Sequence, residues 1–247
     1  MYTFESRARY SEMNHHLGSF RISSIINYFQ DCSTFHSEDI NRGIDYLQGS
    51  KRMWLMNGWQ LQILKPVNLG DIITVGTWPH AFHGFYGYRN FIMKNNQNEV
   101  LSIANSIWVY LNTETGRPVR IPDHHLGYEL EPAFPMEYAD RKITIPGNLV
   151  DLSAYPVMKA NIDTYNHVNN GQYIKMAEEF LPDDFVVQGM RVEYKKQAVY
   201  GDLIQPKIAV NQNIVTIVLA DMLQSPYTII EFSGRQLSFN ESQERKL

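Results

Sequence analysis

The sequence predicts an α+β protein that contains one structural unit twice, each copy a long helix wrapped by a curved antiparallel sheet. A motif that begins near residue 163 recurs in fainter form near residue 12, and a run of helical character follows each copy. A second block recurs without a gap, first at residues 59–72 and again at residues 190–203. Because both blocks repeat in the same order, chance similarity is a poor explanation and a duplicated domain is predicted.

The spacing of the two blocks predicts where the copies differ in length. Gly70 and Gly201 are 131 residues apart, whereas Glu12 and Asp163 are 151 apart when the motifs are aligned on their acidic residues. The first copy should therefore hold about twenty more residues between its helix and its first long strand. We expect these residues to form an extra loop around positions 39–51.

Apolar residues at near-helical spacing predict a helix over residues 22–36, which the chain enters through Gly18 or Ser19. Strand-like runs follow it, and the polar tetrad at residues 95–98 indicates a hairpin between the last two of them. The predicted strands cover residues 53–64, 71–78, 85–94 and 100–111.

The stretch from residue 122 to residue 141 is rich in Pro, Glu and His and has no clear periodicity, so it is predicted to connect the two domains. The domains are then placed at residues 1–128 and 129–247. The second should open with a strand near residues 142–145, and a short helix over residues 173–180 should follow its motif. Its later strands are predicted at residues 186–194, 203–210, 214–219 and 227–239.

Composition and charge narrow the functional classes. The net charge is −4 without a block of like charges, which argues against nucleic-acid binding. Neither a secretory signal nor an apolar run long enough to span a membrane is recognisable, so a cytoplasmic protein without a membrane segment is expected. The single cysteine, Cys32, excludes an internal disulfide and fits a reducing compartment. It lies beside the apolar stripe of the first helix, which predicts a buried core thiol.

The residues best suited to catalysis lie between Asp163 and Gly171. Asp163 precedes His167 by four residues, and an imidazole oriented by a carboxylate can transfer protons near neutral pH. Asn169 and Asn170 precede a predicted helix, whose first N–H groups can stabilise negative charge. Such residues before a helix also serve simply as caps and turn formers, an alternative that stays open above all for the two asparagines.

Other kinds of site are not predicted. No serine-nucleophile elbow and no phosphate-binding loop occurs, which argues against serine-hydrolase and nucleotide chemistry. No cofactor is expected, and no metal either, because the histidine pairs have no further ligands at zinc-like spacing. These pairs are His15 with His16, His80 with His83, and His124 with His125.

The order of these features resembles the acyl-acyl-carrier-protein thioesterases, whose chain is a tandem of two hotdog domains. The resemblance covers roughly residues 2–240. It rests on Asp163 with the His167-Val-Asn-Asn segment of the second half, and on the tryptophan-bearing strands of the first half. Those strands contain Trp54-Leu-Met-Asn-Gly-Trp59, Thr77-Trp78-Pro79 and Ser106-Ile-Trp108-Val.

The resemblance implies hydrolysis of fatty acyl thioesters on acyl carrier protein, with release of the free fatty acid. Asp163 and His167 are implied as catalytic, and an acidic carrier protein with a phosphopantetheine-linked acyl chain is implied as the partner. The tail of the acyl chain is expected in the first domain. As residues that position the substrate we expect Asn166, Asn169, Asn170 and Gln197.

Two further sets of side chains follow from the resemblance, each with a simpler structural alternative. Four apolar residues are candidates for the walls of the acyl pocket, or they are ordinary core residues. Five cations are candidates for a patch that binds the carrier, or they are ordinary solvated surface residues. The pocket candidates are Trp54, Met56, Trp59 and Trp78. The cations are Lys159, Lys175, Arg191, Lys195 and Lys196.

Three positions depart from the pattern of the family. Tyr165 stands where an asparagine is usual, and Gln197 and Ala198 replace a glutamate and a cysteine. Gln197 could hold a water molecule or a thioester carbonyl but cannot act as a base, and Ala198 excludes a cysteine nucleophile. Catalysis would therefore depend on Asp163, as general base or nucleophile, with assistance from His167.

Several alternatives stay open at this point. An acyl-CoA thioesterase on the same scaffold and a non-catalytic acyl-carrier-binding protein both fit the sequence. A hotdog dehydratase does not, because the His-x-x-x-x-Pro-Gly pattern is absent. His16, taken as the counterpart of His167, is expected to be structural, and a homodimer is one option for the assembly.

Overall fold

The computed structural model describes residues 1–14 and 19–237, and the chain divides into two compact units. The first unit comprises residues 1–11 and 25–139. The second comprises the described residues of the segment 12–24 and of the chain from Asp140 onward.

The structure thus divides the chain after Ala139, whereas the sequence analysis placed the boundary after residue 128. The difference arises because much of the predicted connector is bonded to the first unit. The Trp78 indole donates to the carbonyl of Pro132 at 2.9 Å, and the Asn90 side chain accepts from the Phe134 amide at 2.9 Å. A segment without periodicity can still pack tightly when isolated side chains anchor it.

The first unit has one antiparallel sheet in the order β1-β3-β4-β5-β2. Helix α1, Ile22–Asp39, supplies Phe29 to the core, where its ring lies 5.1 Å from Phe91 and 6.4 Å from Trp59. A short helix, α2, covers Ile44–Gly49. The strands are β1 (Tyr2–Arg7), β2 (Arg52–Ile63), β3 (Ile72–His83), β4 (Tyr86–Asn95) and β5 (Val100–Asn112).

The second unit repeats this sheet in the order β6-β9-β10-β11-β8, and the two-residue strand β7 also pairs with β9. Its helix, α3, covers Asn170–Glu178. The strands are β6 (Val150–Asp151), β7 (Tyr155–Pro156), β8 (Phe185–Tyr194), β9 (Leu203–Asn211), β10 (Ile214–Ala220) and β11 (Pro226–Gln236).

The predicted α+β class and the eight long strands are confirmed, and the differences lie in short elements. The strand predicted near residues 142–145 is wrong, because this segment pairs with no described strand and is held by isolated contacts, among them Ile143 buried beside Val218 and Ile229. Strand β1 and helix α2 were not predicted, and α2 lies within the expected extra loop. The predicted strand end at residues 238–239 lies outside the described residues.

The repeat is one of backbone geometry as well as of sequence. Corresponding turns precede β3 and β9, and both contain a glycine in the left-handed region, Gly70 at φ 85° and Gly201 at φ 87°. In each turn the aspartate that follows, Asp71 or Asp202, accepts a hydrogen bond from the amide three residues before it. Only glycine adopts this conformation at little steric cost, which explains why the Gly-Asp pair occurs twice.

Candidate active site

A tight loop folds around the carboxylate of Asp163. The Asp163 amide donates to the His167 carbonyl at 2.8 Å, and Asn166 turns the chain at φ 62°. Oδ1 of Asp163 accepts from the amide of Tyr165 at 2.8 Å and from that of His167 at 3.3 Å. Within residues 1–14 and 19–237, Oδ2 has no hydrogen bond. The loop therefore fixes the carboxylate and leaves one oxygen available to a reactant.

The His167 imidazole lies in the same loop, but Asp163 holds it in a different way from the one expected. The carboxylate binds the backbone amide of His167, and no hydrogen bond joins it to the ring. The Nδ1 atom is buried without a partner in the described part of the chain. Buried polar atoms are nearly always paired, and unpaired ones recur where a substrate or water completes the site.

The N-terminus of α3 follows this loop directly. Asn169 is the N-cap, since its Oδ1 accepts from the Gly171 amide at 2.9 Å, and Asn170 is the first helical residue. First-turn amides have no acceptor within the helix, and the helix dipole adds positive potential at this end. Such donors can be worth about 3–4 kcal/mol when an oxyanion forms against them.

Two buried tyrosines form hydrogen bonds next to the loop and the start of α3. Sequence reasoning missed both. The amide of Ala198 donates to the Tyr173 hydroxyl at 2.8 Å, while its carbonyl accepts from Val168 at 2.9 Å. The Tyr194 hydroxyl donates to the Asn170 carbonyl at 3.0 Å. Burial raises the pKa of both phenols, so both hydroxyls stay protonated at neutral pH.

The residues expected to position the substrate divide by their geometry. Asn169 has a clear role as the cap, and Asn166 is an exposed turn residue whose left-handed backbone suits an asparagine. Asn170 is half-buried at the start of α3. Gln197 is exposed and precedes Ala198, the residue that contacts the motif. Contact with a substrate remains a prediction for all four predicted positions.

The predicted basic patch is largely neutralised by carboxylates of the second unit. Arg191 pairs with Glu231 at 3.1 Å, Lys195 pairs with Glu193 at 2.6 Å, and Lys196 pairs with Asp221. Of the other two predicted cations, Lys159 lies over the ring of Tyr200 at 5.7 Å and Lys175 is exposed on α3. A patch of five free cations is therefore not formed.

The described ends of the first motif match those of the second, in a different register from the one expected. The Asn14 amide donates to the Ser19 carbonyl, as the Asp163 amide does to the His167 carbonyl. A bridge between Met13 and Phe20 likewise matches the bridge between Ile162 and Val168. Asn14, rather than Glu12, therefore occupies the place of Asp163. His16 lies outside the described residues.

A carboxylate accepts hydrogen bonds at the N-terminus of α1, the helix that follows the first motif. Oε1 of Glu178 accepts from the Ile22 amide at 2.6 Å, and Oε2 accepts from the Ser23 amide at 3.2 Å. Burial raises the pKa of Glu178, and the hydrogen bonds from Ser23 and Ile22 offset part of that rise. The N-terminus of α1 thus already binds a carboxyl group of the protein.

Family models match the chain in two consecutive parts. The N-terminal domain of acyl-ACP thioesterases matches residues 2–127, and the C-terminal domain matches residues 150–236. The chain belongs to the acyl-ACP thioesterase family. The resemblance inferred from the motif and the tryptophan-bearing strands is therefore confirmed.

Curated relatives of this acyl-ACP thioesterase family member are plant proteins. It is 26% identical over 231 residues to a chloroplastic acyl-(acyl-carrier-protein) hydrolase of Cuphea viscosissima, a match that covers 83% of this chain and 55% of the relative. It is 25% identical over 203 residues to a chloroplastic dodecanoyl-(acyl-carrier-protein) hydrolase of Cinnamomum camphora, covering 74% and 53%. The chain spans about half the length of the curated relatives it matches.

Solved structures share the fold over nearly the whole chain. An acyl-ACP thioesterase from Bacteroides thetaiotaomicron superimposes with a TM-score of 0.86 at 18% identity, covering 94% of this chain and 97% of the other. The 12:0-ACP thioesterase from Umbellularia californica gives 0.82 at 18% identity, covering 96% and 98%. The predicted tandem hotdog fold is confirmed.

The structure shows the contacts of two positions at which this acyl-ACP thioesterase family member departs from the family pattern. Tyr165 is half-buried, and its amide binds the carboxylate of Asp163. Ala198 is fully buried and bonds the motif and α3 through its backbone, so its side chain contributes no reactive group. Asp163 and His167 are the residues of this loop for which acid–base chemistry is predicted.

The described residues contain little that points to other chemistry. Within residues 1–14 and 19–237, no three His, Cys, Asp or Glu side chains cluster in a way that could hold a metal ion. No helix in these ranges is both long and apolar enough to traverse a bilayer. Cys32 is buried and free, as expected of a core thiol, and burial raises its pKa to about 12.

Proposed function

We propose that this protein hydrolyses the thioester of fatty acyl chains on acyl carrier protein and releases the free fatty acid. The observation that carries the proposal is the carboxylate of Asp163 beside the N-terminus of α3, held at Oδ1 by loop amides and without a hydrogen bond at Oδ2 among the described residues. The curated relatives named as acyl-carrier-protein hydrolases support the carrier-bound substrate.

As a general base, Asp163 would take a proton from a water molecule that attacks the thioester carbon. The oxyanion that forms would be stabilised by the positive end of the α3 dipole and by first-turn amides other than those of Gly171 and Gln172, which already bind Asn169. Its collapse would break the carbon–sulfur bond. The proton returns to the thiolate of the carrier, directly from Asp163 or through His167. As a nucleophile, Asp163 would instead form an acyl anhydride, which water hydrolyses to the same products.

The proposal places the acyl tail in the N-terminal domain, residues 1–128. The core of that domain is aromatic, and the Trp59 ring lies 4.9 Å from that of Phe91. The indole nitrogen of Trp59 is buried without a partner among the described residues. The proposal also includes the reducing cytoplasm as the site of action, which the free thiol of Cys32 supports.

The ion pairs of Arg191, Lys195 and Lys196 favour one alternative substrate. An acidic carrier is best attracted by unpaired cations, and three of the five predicted cations are already paired. Coenzyme A thioesters, which need no protein docking surface, are the alternative that these pairs favour.

Both substrates are tested with one panel of acyl chains, each carried on acyl carrier protein and on coenzyme A. We expect turnover of the carrier-bound series, with kcat falling by about 10³-fold in Asp163→Ala. Thr164→Ala, at the exposed neighbouring residue, serves as the control and should retain activity. Equal kcat/KM on both carriers would favour the coenzyme A alternative.

Two outcomes would overturn the proposal. Full activity in folded Asp163→Ala would show that Asp163 is not part of the catalytic site. Absence of turnover in folded wild-type protein that still binds the acyl carrier would identify a non-catalytic binding protein.

A further inference from the structure

We propose that the hydroxyls of Tyr173 and Tyr194 are positioning groups, which hold the loop of Asp163 and the N-terminus of α3 in their reactive arrangement. The inference rests on the proposed function. It assigns these tyrosines to the reaction although neither is placed to touch the reacting atoms.

Tyr173 connects α3 to the catalytic loop through two hydrogen bonds in series. Its hydroxyl accepts from the Ala198 amide at 2.8 Å, and the Ala198 carbonyl accepts from the Val168 amide at 2.9 Å. Val168 directly follows His167. Ala198 is fully buried, so no water competes for its amide. A displacement of Tyr173 is therefore transmitted to the backbone next to His167.

Tyr194 acts on the other side of the helix start. Its hydroxyl, at the end of β8, donates to the Asn170 carbonyl at 3.0 Å. That carbonyl shares a peptide plane with the Gly171 amide, which the Asn169 side chain caps, so the bond fixes the peptide plane at the first turn of α3. The two tyrosine rings lie 6.0 Å apart and are buried, which leaves them little freedom to move.

The first copy of the repeat serves as an internal comparison. The block that repeats without a gap aligns Tyr194 with Ile63. The amide of Ser24 binds the carbonyl of Arg21 just as that of Gln172 binds that of Asn169, which aligns Tyr173 with Ile25.

Both counterparts are isoleucines, which fill space but form no hydrogen bond. A purely space-filling role would not require a hydroxyl in either copy. The hydroxyls occur only in the copy that carries Asp163 and His167.

Phenylalanine variants isolate the hydroxyls, because the ring and its packing are kept. We expect kcat to fall by about 10-fold to 100-fold in Tyr173→Phe and in Tyr194→Phe, with KM changed less than about threefold, since small misplacements of reacting groups reduce rate more than binding. Tyr155→Phe is the matched control. Its hydroxyl is also buried but has no partner among the described residues, so its loss should leave kcat unchanged.

A second measurement needs no turnover. Hydrogen–deuterium exchange of peptides that cover residues 163–172 should be faster in Tyr173→Phe and Tyr194→Phe than in wild-type protein, and unchanged in Tyr155→Phe. Wild-type kcat together with wild-type exchange in both tyrosine variants would overturn the inference. So would a lower melting temperature with unchanged kcat, which is the signature of a merely structural role.

The two proposals fail in distinguishable ways. An inactive wild-type protein overturns the proposed hydrolysis, while exchange still decides whether the hydroxyls hold the loop. An active wild-type protein with fully active tyrosine variants overturns only the positioning role.

Discussion

The two copies of the motif share a strand bridge and a backbone hydrogen bond, and they differ in the residue that follows the first bridge residue. In one copy the loop surrounds the carboxylate of Asp163, and in the other Asn14 takes the same place. The helix after Asp163 begins with its own asparagine cap, whereas the amides of Ile22 and Ser23 at the start of α1 bind Glu178. The difference teaches that the same bridge and the same amide–carbonyl bond can flank an aspartate in one copy and an asparagine in the other.

The largest expected effect comes from exchanging the two residues that distinguish the loops. Asp163→Asn makes the second loop resemble the first and should lower kcat by about 10³-fold, because the amide cannot accept a proton from water. The loop should stay folded, since the amide oxygen can still accept from Tyr165 and His167. Steady-state turnover with circular dichroism measures both quantities.

Adding Asn14→Asp to that variant should not restore activity, because Glu178 already occupies the adjacent amides of α1. Recovery of turnover in the double variant would contradict the view that Glu178 blocks the N-terminus of α1.

A smaller effect is expected when the carboxylate on α1 is removed. Glu178→Ala leaves two buried amides without their acceptor and should lower the free energy of unfolding by about 1–3 kcal/mol. Glu179→Ala, at the exposed neighbouring position, should change it by less than about 0.5 kcal/mol. Urea denaturation measures both, and equal values would show that the bonds from Ile22 and Ser23 contribute nothing net.

The pH dependence of Glu178→Gln sharpens the same comparison. Because burial raises the pKa of Glu178, the carboxyl group stays protonated to higher pH in the folded state than in the unfolded state. The stability of wild-type protein relative to Glu178→Gln should therefore be highest below the usual glutamate pKa of about 4.5 and decrease as the pH rises through the folded-state value.

The smallest effect should be equal in the two copies. Gly70→Ala and Gly201→Ala each force a side chain into the left-handed region, at a cost of about 1–2 kcal/mol. Neither added Cβ meets a steric obstacle, because nothing lies within 4 Å at Gly201 and the nearest atom at Gly70 is 3.5 Å away. Gly49→Ala is the control, in α2 and with open space around it, and should not destabilise. Unequal costs at the two turns would mean that their environments differ.

Much of the fold was predictable because the signals are local or repeated. The gap-free block aligns Ile63 with Tyr194, and the structure ends β2 and β8 at these residues, one residue before the predicted end of the first strand at residue 64. The two-residue shift between Glu12 and Asn14 was not predictable, because the two motifs differ in length and the register is visible only in the bond from Asn14 to Ser19 and the bridge from Met13 to Phe20.

The supporting tyrosines escaped prediction for a different reason. Tyr173 and Ala198 are 25 residues apart, and a hydrogen bond between them leaves no periodic trace in the sequence. The available signal was the replacement of Ile25 and Ile63 by tyrosines in the second copy. Helix α2 and strand β1 are short, and six residues give too few repeats of a pattern to distinguish them from loop.

The grouping of residues 12–24 with the second unit has a consequence for dissecting the protein. A gene fragment that begins at residue 140 would encode Glu178 without the Ile22 and Ser23 amides that it binds. Its carboxylate would then lack these two hydrogen-bond donors. The two coding halves are therefore not the two physical halves, because the first half of the gene encodes a segment that the second unit requires.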